Sequence, residues 1–385
     1  MRVFNKWSQF EESIFSVMSQ LANSHNAVNL AQGFPDFDGP EEIITSAHDA
    51  MKSGKNQYAP SPGIIELREA LAKKMRKDSG LTYDPKTEIT IFSGATEAIF
   101  CSFQAFFTSQ DEIITFAPYY DSYPASAFAA GAKLVAVDLT PPAWTFDIEK
   151  VRLAITKDTK AIMLNSPHNP TGHVFGPSEL DAIAQLAIEN DLIVITDEVY
   201  EHLVFDEHRH KTIASLPGMY ERTVVISSTS KTFSFTGWKI GYTFAPPQLT
   251  EQLRKVHQYT VFSSATPLQY AMVDALHLDE PYYQDLLAGY DQRRRTLMNG
   301  LQECGFDVSP PQGSYFLLAN YSKIKDVDDV SFAKWLTKNY GVACIPISPF
   351  FDNKNHASQL RYVRFGFCKS IETISIALER LKKIV

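Results

Sequence analysis

Between Thr223 and Phe244 the chain contains TVVISSTSKTFSFTGWKIGYTF, in which two apolar runs flank a segment rich in hydroxyl and aromatic side chains. The first run has the β-branched composition of a buried strand, and Lys231 follows it closely. A lysine is most often a solvated surface charge. Small hydroxyl groups and apolar rings around an amine also make it a usable nucleophile. On these residues alone both interpretations stay open.

Short apolar runs of this kind recur from about residue 89 to 245, with helical patterns between several of them. The seven runs are Ile89–Phe92, Glu112–Phe116, Lys133–Asp138, Lys160–Leu164, Leu192–Thr196, Thr223–Ser227 and 240–244. Such alternation predicts the α/β class, with a large domain built on a mostly parallel seven-stranded sheet that helices cover. After residue 276 a long helical pattern and hairpin-like runs predict a smaller α+β domain. The predicted division is an arm at 1–45, a large domain at 46–275 and a small domain at 276–385.

Composition excludes several classes of protein. A net charge of −8 and a pI near 5.7 argue against a nucleic-acid surface, which needs clustered basic residues. No apolar run approaches 18 residues, so we expect no membrane span. The four cysteines show no metal-binding spacing, so we expect no metal site and a reducing, cytoplasmic location.

Polar residues follow the predicted strands, at the sheet edge where α/β proteins bind ligands. Asp197 comes directly after the strand-like run Leu192–Thr196, and Tyr200 lies three positions on. A buried carboxylate needs a cation or a hydrogen-bond donor, although an aspartate here is also a common helix N-cap. Asn169, in NSPHNPTG, lies in a turn where Pro167 or Pro170 could follow a cis peptide bond. A purely structural loop explains Asn169 equally well.

Three further positions have both a structural and a functional interpretation. Gly94, in SGATEA, opens a helical pattern whose first N–H groups could bind a phosphate, but strand–glycine–helix junctions are common. Tyr120 is either a core aromatic or a ring that stacks on a planar ligand. Arg364, between apolar residues in LRYVRFGF, suits a bidentate carboxylate or an interdomain salt bridge.

Taken together, these motifs resemble the fold-type I pyridoxal-phosphate (PLP) aminotransferases of classes I and II over essentially the whole chain. The matching motifs, in the family's order, are NLAQGFPDF, NQYAPSPGIIELREAL, SGATEA, NSPHNPTG, DEVYEH, STSKTFSFTGWKIGY, GSYF and VRFGF. PHNPTG, DEVYEHLVFD, KTFSFTGWKIGY and IPISPFF are similar to the subgroup of kynurenine/glutamine and methionine aminotransferases. The resemblance implies the PLP-dependent transferase fold type I.

The resemblance also implies a role for each matching residue. Lys231 would bond to PLP covalently and shuttle the substrate proton, with Asp197 on the pyridine nitrogen. Asn169 and Tyr200 would bind the phenolic oxygen, and Tyr120 would stack on the ring. The residues implied for the phosphate are Gly94, Ala95, Thr96, Ser228, Lys239 and, from the neighbouring subunit, Tyr58. Many relatives have arginine where this chain has Lys239, which keeps the charge without the bidentate fork.

For the substrate, the resemblance implies that Arg364 and the Gly33 backbone bind the α-carboxylate with help from Asn169. Phe34, Tyr58 and Tyr120 would line an apolar side-chain pocket. The expected partners are therefore an amino acid and a 2-oxo acid, and the role of Tyr58 implies a homodimer with shared active sites. No further arginine motif suits a dicarboxylate side chain, so methionine, glutamine, phenylalanine, tyrosine or kynurenine is the expected donor.

The resemblance implies a ping-pong transamination between these substrates. β-Elimination from cysteine conjugates is the alternative on the same cofactor. A Rossmann-type oxidoreductase would show G-x-G-x-x-G after the first strand, which SGATEA lacks. A non-catalytic regulator on the same scaffold would need an attached basic DNA-binding module, for which the chain leaves no room.

Overall fold

The computed structural model describes residues 5–384, and its strands and helices are numbered here in chain order. The strands are β1 (Val28–Asn29), β2 (Ile89–Phe92), β3 (Glu112–Ala117), β4 (Lys133–Asp138), β5 (Thr159–Asn165), β6 (Ile193–Asp197), β7 (Thr223–Ser228), β8 (Gly241–Phe244), β9 (Asp307–Val308), β10 (Phe316–Asn320), β11 (Val342–Ala343), β12 (Ile345–Pro346) and β13 (Tyr362–Gly366).

The α-helices are α1 (Ile14–Ser24), α2 (Glu41–Lys52), α3 (Ile65–Ser79), α4 (Ala95–Phe106), α5 (Ser122–Ala130), α6 (Ile148–Ala154), α7 (Pro177–Glu189), α8 (Thr229–Thr232), α9 (Pro247–Thr260), α10 (Thr266–Ala275), α11 (Glu280–Glu303), α12 (Asp329–Tyr340), α13 (Lys354–Ser358) and α14 (Ile371–Leu381). Short 3₁₀ turns lie at Ile213–Ser215, Tyr220–Arg222, Ser348–Phe350 and Lys382–Ile384. Within residues 5–384, no helix is long and apolar enough to cross a bilayer.

The chain divides into two compact units. Of the described residues, the large unit comprises 35–291 and 311–314, and the small unit comprises 5–34, 292–310 and 315–384. The arm at 1–45 and the domain boundary at residue 275 stay predictions.

The large unit contains a seven-stranded sheet in the order β2-β8-β7-β6-β5-β3-β4. All pairs are parallel except those of β8, which runs antiparallel to β2 and β7. The residues of β2, β7 and β8 are all buried, as expected for strands that helices cover on both faces. The prediction of a mostly parallel seven-stranded α/β sheet is therefore confirmed.

The small unit has a four-stranded antiparallel sheet in the order β12-β13-β10-β9 and a parallel pair formed by β1 and β11. Arg364 lies on β13, opposite Leu318 of β10 on one side and Ile345 of β12 on the other. Side-chain caps begin three of the unit's helices: Asp328 accepts a hydrogen bond from a helix N–H at α12, Asn353 does so at α13 and Ser370 at α14.

Parallel pairing brings the carboxyl ends of three neighbouring strands together. Asn165 at the end of β5 is in register with Asp197 at the end of β6, and Asp197 is in register with Ile226 of β7. The backbone continues this contact beyond the strands, because the Ser166 N–H donates to the Asp197 carbonyl and the Glu198 N–H donates to the Ile226 carbonyl. The strand ends at which the sequence predicts a site are thus adjacent and hydrogen-bonded to one another in the large unit.

Candidate active site

Asp197 is the last residue of β6, and its side chain is buried. The Tyr123 hydroxyl donates to its Oδ2 at 2.8 Å and the Val199 N–H donates to its Oδ1 at 3.4 Å. Burial raises the pKa of Asp197 to about 6, although both hydrogen bonds and the positive charge of Lys231 act in the opposite direction. The strand end therefore presents a desolvated carboxyl group to a ligand.

Asn165 connects Asp197 to the loop that contains Asn169. Its Nδ2 donates to the Asp197 carbonyl at 2.8 Å, and its Oδ1 accepts from the Asn169 backbone N–H at 2.7 Å. The peptide bonds before Pro167 and Pro170 are both cis. The Asn165 side chain thus links the backbone of Asn169 to the backbone of Asp197.

Lys231 lies on α8, the single helical turn that follows β7. Its Nζ is 5.8 Å from the centroid of the Tyr200 ring, which is buried. Because the Lys231 charge also lowers the pKa of Asp197, this amine, the Tyr200 ring and the Asp197 carboxylate belong to one electrostatic environment. The structure brings these three predicted residues together in the large unit.

The start of α4 lies directly against Lys239. Gly94 precedes the helix with φ of +86°, and Ala95 and Thr96 are its first two residues. A Cβ atom added to Gly94 would lie 2.9 Å from Nζ of Lys239, so the ammonium group covers the peptide that opens the helix. Backbone N–H groups at a helix start and a nearby ammonium group together form an anion site.

Strand pairing places Ser228 near the start of α4. It lies opposite Gly241 in the antiparallel β7–β8 pair. A Cβ atom on Gly241 would lie only 2.4 Å from the backbone nitrogen of Ala95, so β8 packs against the first turn of α4 without a side chain between them. The predicted phosphate residues of the large unit other than Tyr58 therefore meet at one end of α4.

The two predicted tyrosines differ in their surroundings. The Tyr120 ring lies edge-on to the Tyr123 ring with 5.8 Å between centroids, which places it next to the donor that binds Asp197. Tyr58 is 83% exposed, and its ring packs edge-on against Phe262. Tyr58 thus presents an aromatic surface outward.

The small unit contains the remaining predicted residues. Arg364 is buried, and its Nη2 donates to the Ala31 carbonyl at 2.8 Å. The Tyr315 hydroxyl donates to the Gly33 carbonyl, and Phe34 follows with 47% of its surface exposed. Hydrogen bonds thus fix Arg364 and the Gly33 backbone within this unit.

Sequence reasoning missed Tyr123 and Asn165, which bind Asp197 directly. A signal for Tyr123 is present, since YYDSY places it three positions after Tyr120, one turn later in a helical pattern. Nothing in the motif NSPHNPTG shows that its first asparagine binds Asp197, because that contact depends on the β5–β6 register.

Residues 25–381 match the model of the family described as aminotransferase class I and II. The chain is 42% identical to a probable N-succinyldiaminopimelate aminotransferase of Mycobacterium tuberculosis, over 97% of this chain and 96% of that protein. It is 35% identical to the kynurenine–oxoglutarate transaminase of Dictyostelium discoideum, over 98% and 95% of the two chains. A methionine aminotransferase structure from Escherichia coli superposes with a TM-score of 0.96 at 38% identity, covering 100% of both chains.

The chain therefore belongs to the class I and II aminotransferases, a PLP-dependent family, and has their fold type I architecture. It is an aminotransferase, and the relatives include the methionine and kynurenine enzymes of the predicted subgroup. β-Elimination gains no support from these three relatives, all of which are named for amino-group transfer.

Proposed function

We propose that the large unit binds PLP at the carboxyl ends of β5, β6 and β7 and uses it to transfer an α-amino group to a 2-oxo acid. The observation that carries this proposal is the buried Asp197 carboxyl group, whose pKa burial raises to about 6 beside the positive charge of Lys231. A buried carboxylate suits the protonated nitrogen of a pyridine ring, which compensates its charge. The amine of Lys231 supplies the group that bonds to the cofactor aldehyde.

The remaining contacts fit the other parts of the cofactor. The ammonium of Lys239 and the start of α4 suit the phosphate, with Ser228 beside them. Asn169 and Tyr200 would bind the phenolic oxygen, and the Tyr120 ring would cover one face. When bound, PLP supplies an electron sink that stabilises negative charge at the substrate Cα.

Lys231 is the proposed acid and base of the reaction. Once the substrate amino group has displaced it from the cofactor, the neutral Nζ would accept the proton from the substrate Cα and return it to the cofactor carbon. The Asp197 carboxylate stays charged opposite the ring nitrogen, and the Tyr123 hydroxyl bond keeps it oriented. In the small unit, Arg364 and the Gly33 backbone are proposed to bind the α-carboxylate.

The proposed donor is an amino acid with an apolar, aromatic or amide side chain, namely methionine, glutamine, phenylalanine, tyrosine or kynurenine. Two observations support this range: the aromatic residues Phe34, Tyr58 and Tyr120 at the predicted substrate positions, and relatives named for methionine and kynurenine. The relative named for N-succinyldiaminopimelate provides a further compound to include in a donor screen.

We further propose a homodimer whose partner subunit contributes Tyr58 to the phosphate site. The support is an exposed aromatic surface at Tyr58, Tyr259 and Phe262 of the large unit. The four cysteines are all free and buried, which supports a reducing, cytoplasmic location.

The test is a half-reaction screen with purified holoenzyme. Each amino acid is added without a 2-oxo acid, and the visible absorbance of the lysine-bound cofactor is followed. The proposed donors should remove this absorbance, and a 2-oxo acid should restore it. Lys231→Ala should abolish turnover, whereas Lys255→Ala, which alters an exposed surface ion pair with Glu251, should leave it unchanged.

Two results would contradict the proposal. One is a purified protein that has no such absorbance and cannot be labelled at Lys231 by borohydride reduction. The other is a Lys231→Ala variant that transaminates at the normal rate. Pyruvate and ammonia released from a cysteine conjugate without a 2-oxo acid would instead identify β-elimination.

A further inference from the structure

The carbonyl groups of five consecutive residues, 30–34, all accept hydrogen bonds from within the small unit. The donors, in order from residue 30 to residue 34, are the N–H of Gly366, Nη2 of Arg364, Sγ of Cys368, the hydroxyl of Tyr315 and Nζ of Lys369. Every backbone carbonyl of the segment is therefore held by a hydrogen bond.

Lys369 contacts a side chain of the segment as well as its backbone. Its Nζ donates to the Phe34 carbonyl at 2.6 Å and lies 4.4 Å from the centroid of the Phe34 ring. Lys369 is 4% exposed, whereas Phe34 is 47% exposed. The buried ammonium thus binds the carbonyl and the ring of one residue, and rotation of the ring away from it would lose the cation–π attraction.

The backbone of Lys369 is itself fixed. Its carbonyl accepts a hydrogen bond from Nε of Arg293 at 2.9 Å, and it lies five residues after Arg364 in the chain. Burying an ammonium group is unfavourable unless hydrogen bonds compensate it. Packing alone does not explain this arrangement, since an apolar side chain would fill the same space without that cost.

We propose that Lys369 is a positioning residue that sets the donor preference by fixing the exposed ring of Phe34. This inference rests on the proposed function, in which Gly33, the residue before Phe34, binds the substrate α-carboxylate. A ring fixed on the residue next to the one that binds the carboxylate offers a flat apolar surface to a long or aromatic substrate side chain. The methyl group of alanine gains little from such a surface.

The test compares donors in holoenzyme variants. Lys369→Met keeps the length of the side chain and removes the charge, so it should lower kcat/KM for phenylalanine by about tenfold and for alanine by less than about twofold. The loss should come mainly from KM, because the ring binds the side chain and takes no part in proton transfer. Lys369→Arg, which keeps a cation, should retain most of the preference.

A double-mutant cycle separates positioning from general structural support. Phe34→Leu should by itself lower the preference for phenylalanine, and adding Lys369→Met to it should cause no further change. Binding of two unreactive acids provides a readout that does not depend on turnover: Lys369→Met should weaken 3-phenylpropionate and leave propionate unchanged.

Additive effects of the two substitutions, or equal losses for phenylalanine and alanine, would overturn the inference. If Lys369→Met does not fold, an unchanged donor preference in Phe34→Leu would overturn it equally. These failures differ from failure of the proposed function, in which the wild-type protein itself would not exchange amino groups with any donor.

Discussion

Asp197 is a residue at which stability and chemistry conflict. Its carboxyl group is buried at the end of β6, and burial raises its pKa from 3.8 to about 6. A group whose pKa is higher in the folded state than in the unfolded state destabilises the fold once the unfolded form ionises. The charge that suits a cofactor nitrogen is therefore unfavourable to the cofactor-free protein.

Asp197→Asn should consequently stabilise the cofactor-free protein at neutral pH. Below about pH 3 both states of the wild type are protonated, so the two proteins should be about equally stable there. Between about pH 4 and 6 the wild-type free energy of unfolding should fall relative to the variant, and above pH 6 the difference should stay near 3 kcal/mol. Urea unfolding at several pH values measures this difference, and transamination should be lost in the same variant.

Asp181→Asn, at an exposed position on α7, provides the control. It should differ from the wild type by no more than about 0.5 kcal/mol at every pH. A difference between Asp197→Asn and the wild type that does not change from pH 4 to pH 8 would show that the Asp197 carboxyl group does not titrate as proposed.

Residues that follow a strand within a recognisable motif could be predicted from the sequence, whereas their supporting partners could not. Lys231 and Asp197 are preceded by apolar runs that mark strand ends. Tyr123 binds Asp197 only because α5 returns toward β6, and Lys369 binds Phe34 only because the segment after β13 lies along residues 30–34. The spacing in YYDSY relates Tyr123 to Tyr120 but not to Asp197, and both contacts join residues far apart in sequence.

At the scale of elements, the contact between β8 and α4 depends on Gly241. A Cβ atom there would lie 2.4 Å from backbone atoms of both Gly94 and Ala95, which cannot move as freely as a side chain. Gly241→Ala should separate the strand from the helix start, destabilise the protein by about 3 kcal/mol, and weaken PLP binding. Thermal unfolding and a PLP titration of the cofactor-free variant measure the two effects.

Gly237→Ala is the matched control in the same segment. A Cβ atom at this position would meet nothing within 4 Å. The variant should unfold within about 0.5 kcal/mol of the wild type and bind PLP normally. Equal behaviour of the two alanine variants would mean that the close approach of β8 to α4 does not matter for either property.

Element types were easier to predict than their limits. All seven strands of the large sheet were predicted from apolar, β-branched runs, and the long helical pattern predicted after residue 276 is α11, Glu280–Glu303. Asp197 was expected after its strand but is the last residue of β6. The reason is that its backbone still pairs with β5 and β7, although its side chain belongs to the polar edge.

For the whole molecule, the large unit leaves an aromatic surface uncovered. Tyr58, Tyr259 and Phe262 are 83%, 86% and 43% exposed, and a hydrogen bond from Thr266 to the Gln57 carbonyl connects their two segments. Exposed apolar surfaces of this kind commonly mark protein interfaces. Because a glutamate there would place a charge in the proposed dimer interface, Tyr259→Glu should yield monomers with little activity, as measured by light scattering on a sizing column.

Leu153→Glu provides the control, since Leu153 is 82% exposed on α6. This variant should keep the mass and the activity of the wild type. A Tyr259→Glu protein with unchanged mass, or a wild type that is already monomeric and active, would refute the proposed dimer interface.

The strand order of the large sheet has a consequence for biosynthesis. β2 lies at the edge of the sheet, and its neighbour, β8, is about 150 residues later in the chain. At roughly 5–20 residues per second, a ribosome needs on the order of ten seconds between the two strands. During that interval the strand Ile89–Phe92 lacks its neighbour β8, so a nascent chain halted before Gly241 should be prone to aggregation and should bind chaperones that recognise exposed strands.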